Sequence, residues 1–79
     1  MTHDLKLDVS RVEGVLVRVL GLSVRRGYEP IAVTAGPGAE SDVLAVQLRV
    51  ESSRPAAALV RQLAKLHDVR RVELREEQP

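Results

Sequence analysis

From Asp4 to Val9 the chain alternates, with Leu5, Leu7 and Val9 on one side and Asp4, Lys6 and Asp8 on the other. A period of two is that of a strand with one face buried. The period then changes. Val12, Val15, Leu16, Val19 and Leu20 recur at helical spacing, and Gly27 after Arg25-Arg26 predicts the helix stop. Gly21, inside that helix, costs roughly 1 kcal/mol against alanine and implies close packing there. In a second strand, Ile31, Val33 and Ala35 are expected inward and Ala32 and Thr34 outward. Gly36-Pro37-Gly38-Ala39-Glu40-Ser41 reads as a turn. The strongest strand runs from Asp42 to Glu51, with Leu44, Val46, Leu48 and Val50 on its apolar side.

Ser53 is a candidate N-cap and Pro55 an early helical position. The helix that follows is expected to bury Ala56, Leu59, Val60, Leu63 and Leu66 and to stop near His67-Asp68. Val72 and Leu74 alternate with Arg71, Glu73 and Arg75 in a last strand, and Glu76 to Pro79 are expected to form a polar tail. The predicted order is strand, helix, strand, strand, helix, strand. A faint internal repeat supports it: Leu7 and Val9 correspond to Leu48 and Val50, and Val15, Leu16 and Val19 to Leu59, Val60 and Leu63. Two interleaved right-handed crossovers give one four-stranded antiparallel sheet with both helices on one face. Each strand has one apolar and one largely polar face, as such a sheet requires. The predicted fold is an α+β, ferredoxin-like βαββαβ sandwich, a single domain over residues 1–79.

Composition narrows the function. A chain of 79 residues buries a modest core, about 60% of its unfolded surface. It has no cysteine for a disulfide, and Tyr28 is its only aromatic residue among Phe, Trp and Tyr. Small scaffolds of this kind often complete their burial on a partner. A net charge of +1 gives no bulk attraction to nucleic acid or membrane. The longest uninterrupted apolar run, Ala56 to Val60, is too short to span a bilayer. Met1-Thr2-His3-Asp4 lacks the character of a secretory signal. The expected location is cytoplasmic.

No catalytic constellation emerges. His3 and His67 lie in different elements without convergent ligands and are expected to be solvated or helix-terminal, so no metal site is expected. Gly36-Pro37-Gly38 precedes a strand and lacks the Lys-Ser/Thr of a phosphate loop. The serines sit in no nucleophile context and read as caps and turns. No cofactor is implied. The open sheet face would present Lys6, Gln47, Arg49 and Glu73, with no aromatic on which a base could stack, so no nucleic-acid partner is expected.

One feature has a ligand chemistry. The loop Arg11-Val12-Glu13-Gly14-Val15 joins the first strand to the first helix, and free amides at a helix start attract a carboxylate. Glu29, followed by Pro30 and Ile31 at the start of the second strand, can receive an ammonium group. An amino acid is the expected ligand of such a pair. A plain strand-to-helix connection, its glycine serving only packing, is the alternative.

The run from Gly14-Val15-Leu16-Val17-Arg18-Val19 to Arg26-Gly27-Tyr28, with Gln62-Leu63, Lys65-Leu66 and Asp68-Val69, resembles the ACT domain of acetolactate (acetohydroxyacid) synthase small subunits. The likeness covers nearly the whole chain and is similar above all to the short, isozyme II type form. It implies a non-catalytic regulatory subunit that binds and activates the large, thiamine-diphosphate-dependent catalytic subunit in branched-chain amino-acid biosynthesis. It further implies a homodimer through ACT domains, and an effector such as valine held between two of them by residues equivalent to Arg11–Val15 and Glu29–Ile31. Where such relatives usually carry asparagine, this chain has Arg11 and Glu29, which implies little response to valine. The alternative function is a stand-alone ACT-type amino-acid-sensing domain that regulates another partner.

Overall fold

A computed structural model describes the backbone of residues 1–78 and side chains through Arg75. The elements are β1 (Thr2–Ser10), α1 (Val15–Arg25), β2 (Glu29–Pro37), β3 (Val43–Glu51), α2 (Ala56–Ala64) and β4 (Val69–Gln78). The strands form one antiparallel sheet in the order β2-β3-β1-β4, as the interleaved crossovers predict. The α+β ferredoxin-like reading therefore holds.

The sheet's buried face is aliphatic. Leu5, Leu7 and Val9 on β1 and Val46, Leu48 and Val50 on β3 meet Val15, Val19 and Leu22 of α1 and Leu59 and Leu63 of α2. Burying each of these side chains is worth about 1.5–3 kcal/mol. Tyr28 is also buried, and its hydroxyl donates to the Pro55 carbonyl at 2.7 Å. That bond begins a polar knot at one end of the sheet. Ser52 Oγ donates to the Gly27 carbonyl at 2.8 Å and accepts from the Arg54 amide at 3.0 Å. Gly27 has φ 90, and a side chain there would also meet Arg54, so glycine is required.

Several expectations are corrected here. His3 is fully buried, not solvated. Its Nε2 lies 3.0 Å from the Arg54 carbonyl, which can only accept, so that nitrogen carries the proton. β1 begins at Thr2, and this extra length gives β4 backbone partners through Gln78. Residues 76–78, expected in a tail, continue the strand; Pro79 lies outside the described residues. The N-cap of α2 is Pro55, in extended conformation, and the adjacent loop is tied by Ser52 in place of the expected Ser53. Ser23 is neither cap nor turn: it lies buried within α1 and donates to the Val19 carbonyl at 2.9 Å.

The two sheet edges differ. A bulge in β2 between Pro30 and Ala32 takes Ile31 out of the ladder, while Val33 and Ala35 face Leu48 and Val46. Ile31 and Val33, expected inward, remain 51% and 41% exposed because β2 is an edge strand that α1 covers incompletely. Between Pro30 and Pro37 this edge carries no charge. β4 instead carries Arg70, Arg71, Glu73 and Arg75 and has two register shifts, features that discourage pairing with another strand. The face away from the helices is polar and crossed by ion pairs, including Arg49–Asp4 and Arg71–Glu73.

Tyr28→Phe leaves the Pro55 carbonyl without its donor and should cost about 1 kcal/mol, read from urea unfolding. The Arg70 hydrogen bond holds the Asp42 carboxyl below its ordinary value of 3.8. A depressed carboxyl contributes stability above its unfolded value and loses it as pH falls through the folded one. Asp42 should therefore titrate below pH 3.8 by carboxyl NMR, and Arg70→Ala should return it toward that value.

Candidate functional site

Residues Arg11 to Val15 are fixed by backbone bonds at the end of β1. The Ser10 amide donates to the Asp68 carbonyl at 2.7 Å and the Arg11 amide to the Asp42 carbonyl at 2.9 Å. Arg70 reinforces both neighbours, reaching Ser10 Oγ at 3.1 Å and the Asp42 carboxylate at 2.9 Å. The chain then turns through Gly14, whose φ of 78 lies in the left-handed region. Arg11, Val12, Glu13 and Gly14 are exposed, whereas Val15 enters the core.

The start of α1 has no acidic residue in its first turn and no side-chain cap. Its N-terminal end therefore keeps the positive character of free amides. Arg18 folds back over this end, donating to the Glu13 carbonyl at 3.3 Å and pairing with the Asp68 carboxylate. A side chain at Gly14 would meet its guanidinium at 3.0 Å. Sequence reading missed both Arg18 and Asp68 as part of this corner. The helical spacing from Gly14 to Arg18 was the available signal; the long-range approach of Asp68 had none.

Glu29, Pro30 and Ile31 lie elsewhere. Glu29 pairs with Glu51 in the β2–β3 ladder, while Ser10, beside Arg11, pairs with Val43. Eight steps along β3 separate Glu51 from Val43, about 27 Å of extended chain. Within one chain, then, the loop amides and Glu29 stand at opposite ends of the sheet and cannot hold the two ends of one amino acid. Two like charges face each other at Glu29 and Glu51, but Thr2 Oγ donates to Glu51 at 2.7 Å and holds its carboxyl below the ordinary range. Glu29 and Arg11 have no ion-pair partner among the described residues.

A concavity of about 460 Å³ lies on the open sheet face, lined by Lys6, Thr34, Gln47 and Arg49 among others. It is remote from the helix start. No cluster of three metal-ligating side chains occurs among the described residues, and no described helix is long and apolar enough to cross a membrane.

No curated protein sequence matches the chain significantly. Solved structures resemble it closely in fold. One is the small subunit of acetolactate synthase from Thermotoga maritima, with TM-score 0.80 and 23% identity over 94% of this chain and 47% of that one. The present chain thus spans about half its length. Another is the ACT domain of a GTP pyrophosphokinase from Chlorobium tepidum, with TM-score 0.75 and 13% identity over 94% of this chain and 96% of that one. A third is the C-terminal domain of the MgtC protein of Mycobacterium tuberculosis, with TM-score 0.70 and 14% identity over 94% of this chain and 84% of that one. The profile of the ACT domain family matches residues 11–72, most of the chain, which therefore belongs to the ACT domain family of regulatory modules.

Proposed function

We propose that this chain is the non-catalytic regulatory subunit of an acetolactate synthase, binding and activating the large catalytic subunit in branched-chain amino-acid biosynthesis. The observation that carries the reading is aliphatic surface left uncovered on α1 and on the β2 edge. Val17 and Val24 on α1 are 74% and 61% exposed, and Ile31 and Val33 on the β2 edge are exposed as well. Uncovered aliphatic side chains and an uncharged strand edge are surfaces for association. The motif shared with synthase small subunits supports a synthase large subunit as the partner.

The β2 edge fits a second copy first. Antiparallel pairing of two β2 edges sets the start of one strand beside the end of the other. Pro37 faces Leu44, next to Val43, which faces Ser10, so the end of β2 lies at the Arg11 corner. In such a homodimer each Glu29 approaches the corner holding the partner's Arg11. The loop and the strand start, separated in one chain, then form one site across the two-fold axis. An amino acid between them would meet two fully charged side chains that neutralise one another, where relatives offer neutral amides. This supports activation that is insensitive to valine. The setting is the cytoplasm, and no cofactor is required of this chain.

Adding the chain to a purified large subunit should raise the rate of acetolactate formation several-fold, with no change on adding valine, leucine or isoleucine. An unchanged rate would overturn the reading. Gly14→Val forces a branched side chain into the left-handed region, at about 1–2 kcal/mol, and displaces Arg18. It should leave the fold intact by circular dichroism but weaken activation and self-association in sedimentation. If both are unaffected, the loop has no part in the mechanism.

A further inference from the structure

The near-neutral total hides a segregation of charge. The stretches Gly14–Tyr28 and Ser52–His67, which contain both helices, hold six of the twelve Lys and Arg residues and none of the eleven Asp and Glu. The cations are Arg18, Arg25, Arg26, Arg54, Arg61 and Lys65, all exposed. The sheet and its other loops keep six cations against eleven acids. Pairing sharpens the contrast. On the sheet side Arg49, Arg70, Arg71 and Arg75 all have carboxylate partners, whereas in the helical layer only Arg18 does among the described residues. Five exposed cations thus share one layer without an ion-pair partner among the described residues, and the same layer exposes Val17 and Val24.

We infer that the helical layer is a docking surface for a protein face rich in aspartate and glutamate that also presents apolar side chains. The inference rests on the proposed function to the extent that this face is placed on the large catalytic subunit. Three features favour a protein over other polyanions. The layer exposes no Phe, Trp or Tyr for base stacking, since Tyr28 is buried, and His67 is its one exposed aromatic ring among the described residues. The exposed valines have no counterpart in a phosphate backbone. Both helices spend their apolar stripes on the core, which leaves two valines, too little to anchor the layer in a bilayer. Opposite charge across such an interface speeds encounter and fixes orientation, so the regulatory subunit would meet its partner helices first, with β2 left for the second copy.

The test is reconstitution with the purified large subunit, comparing the wild type, Arg25→Gln/Arg61→Gln/Lys65→Gln, and Lys6→Gln/Arg71→Gln/Arg75→Gln. The last carries the same charge change on the sheet side. The concentration giving half-maximal activation should rise at least about tenfold for the helical triple and less than about twofold for the control. Raising salt from about 50 to about 300 mM should weaken the wild type but scarcely change the helical triple. Equal behaviour of the two triples, with activation by the wild type intact, overturns the inference and leaves the proposed function standing. If the wild type activates no large subunit, the proposed function falls. The surface is then judged on polyglutamate, duplex DNA and phosphatidylglycerol vesicles. Retention by polyglutamate alone, lost in the helical triple, upholds the inference; no retention, or stronger retention by DNA or vesicles, overturns it.

Discussion

The sheet is larger than the helices that cover it. Strands of nine and ten residues extend about 30 Å, whereas helices of eleven and nine residues extend about 16 and 14 Å. Burial is deepest on the central strands: Leu5, Leu7, Val9, Val46, Leu48 and Val50 are buried, while Val33 and Leu74 on the two outer strands are not. A sheet covered on one face and short of cover at its margins must either expose aliphatic surface or give it to a partner. The asymmetry between its edges follows from the same constraint: β4 is protected by charge and irregular register, and β2 is left open.

Charge is distributed to match. Carboxylates and guanidinium groups meet across β1, β3 and β4, where they make the open face soluble and self-satisfied, each exposed pair contributing little to stability. The same guanidinium chemistry at Arg70 serves position more than energy, since it ties Ser10 and Asp42 together at the corner from which the Arg11 loop departs. The helical layer has no carboxylate of its own with which to balance its cations. Net charge alone conceals this, because it sums over faces that no single partner touches together.

Element types were legible in the sequence because each segment buries one face, and one buried face prints a period of two or three to four. What could not be read lies where backbone geometry or long-range approach decides. The bulge at Ile31 breaks the alternation without changing any residue type. His3 looks like a polar residue at a chain end, yet the ring is buried beside Tyr28, and the Arg54 carbonyl, fifty-one positions away, accepts a hydrogen bond from its Nε2. Ser52 and Ser53 are chemically equal, and only the position of the Gly27 carbonyl selects between them. The candidate site shows the same limit. Arg11–Val15 and Glu29–Ile31 are each identifiable as exposed and chemically apt, but sequence proximity across one helix suggested a convergence that the length of the sheet forbids.

That separation is the geometric reason for the pairing proposed above. A helix always carries the chain from one end of a sheet to the other, so in any βαβ unit the residues before and after it are far apart. Only a two-fold operation about the open edge returns them to each other, and it does so twice, symmetrically. A ligand or ion pair at such a seam therefore reports on association and on nothing within a single chain. In this protein the two positions carry opposite charges, so the proposed pairing would bring an anion to a cation with no effector between them.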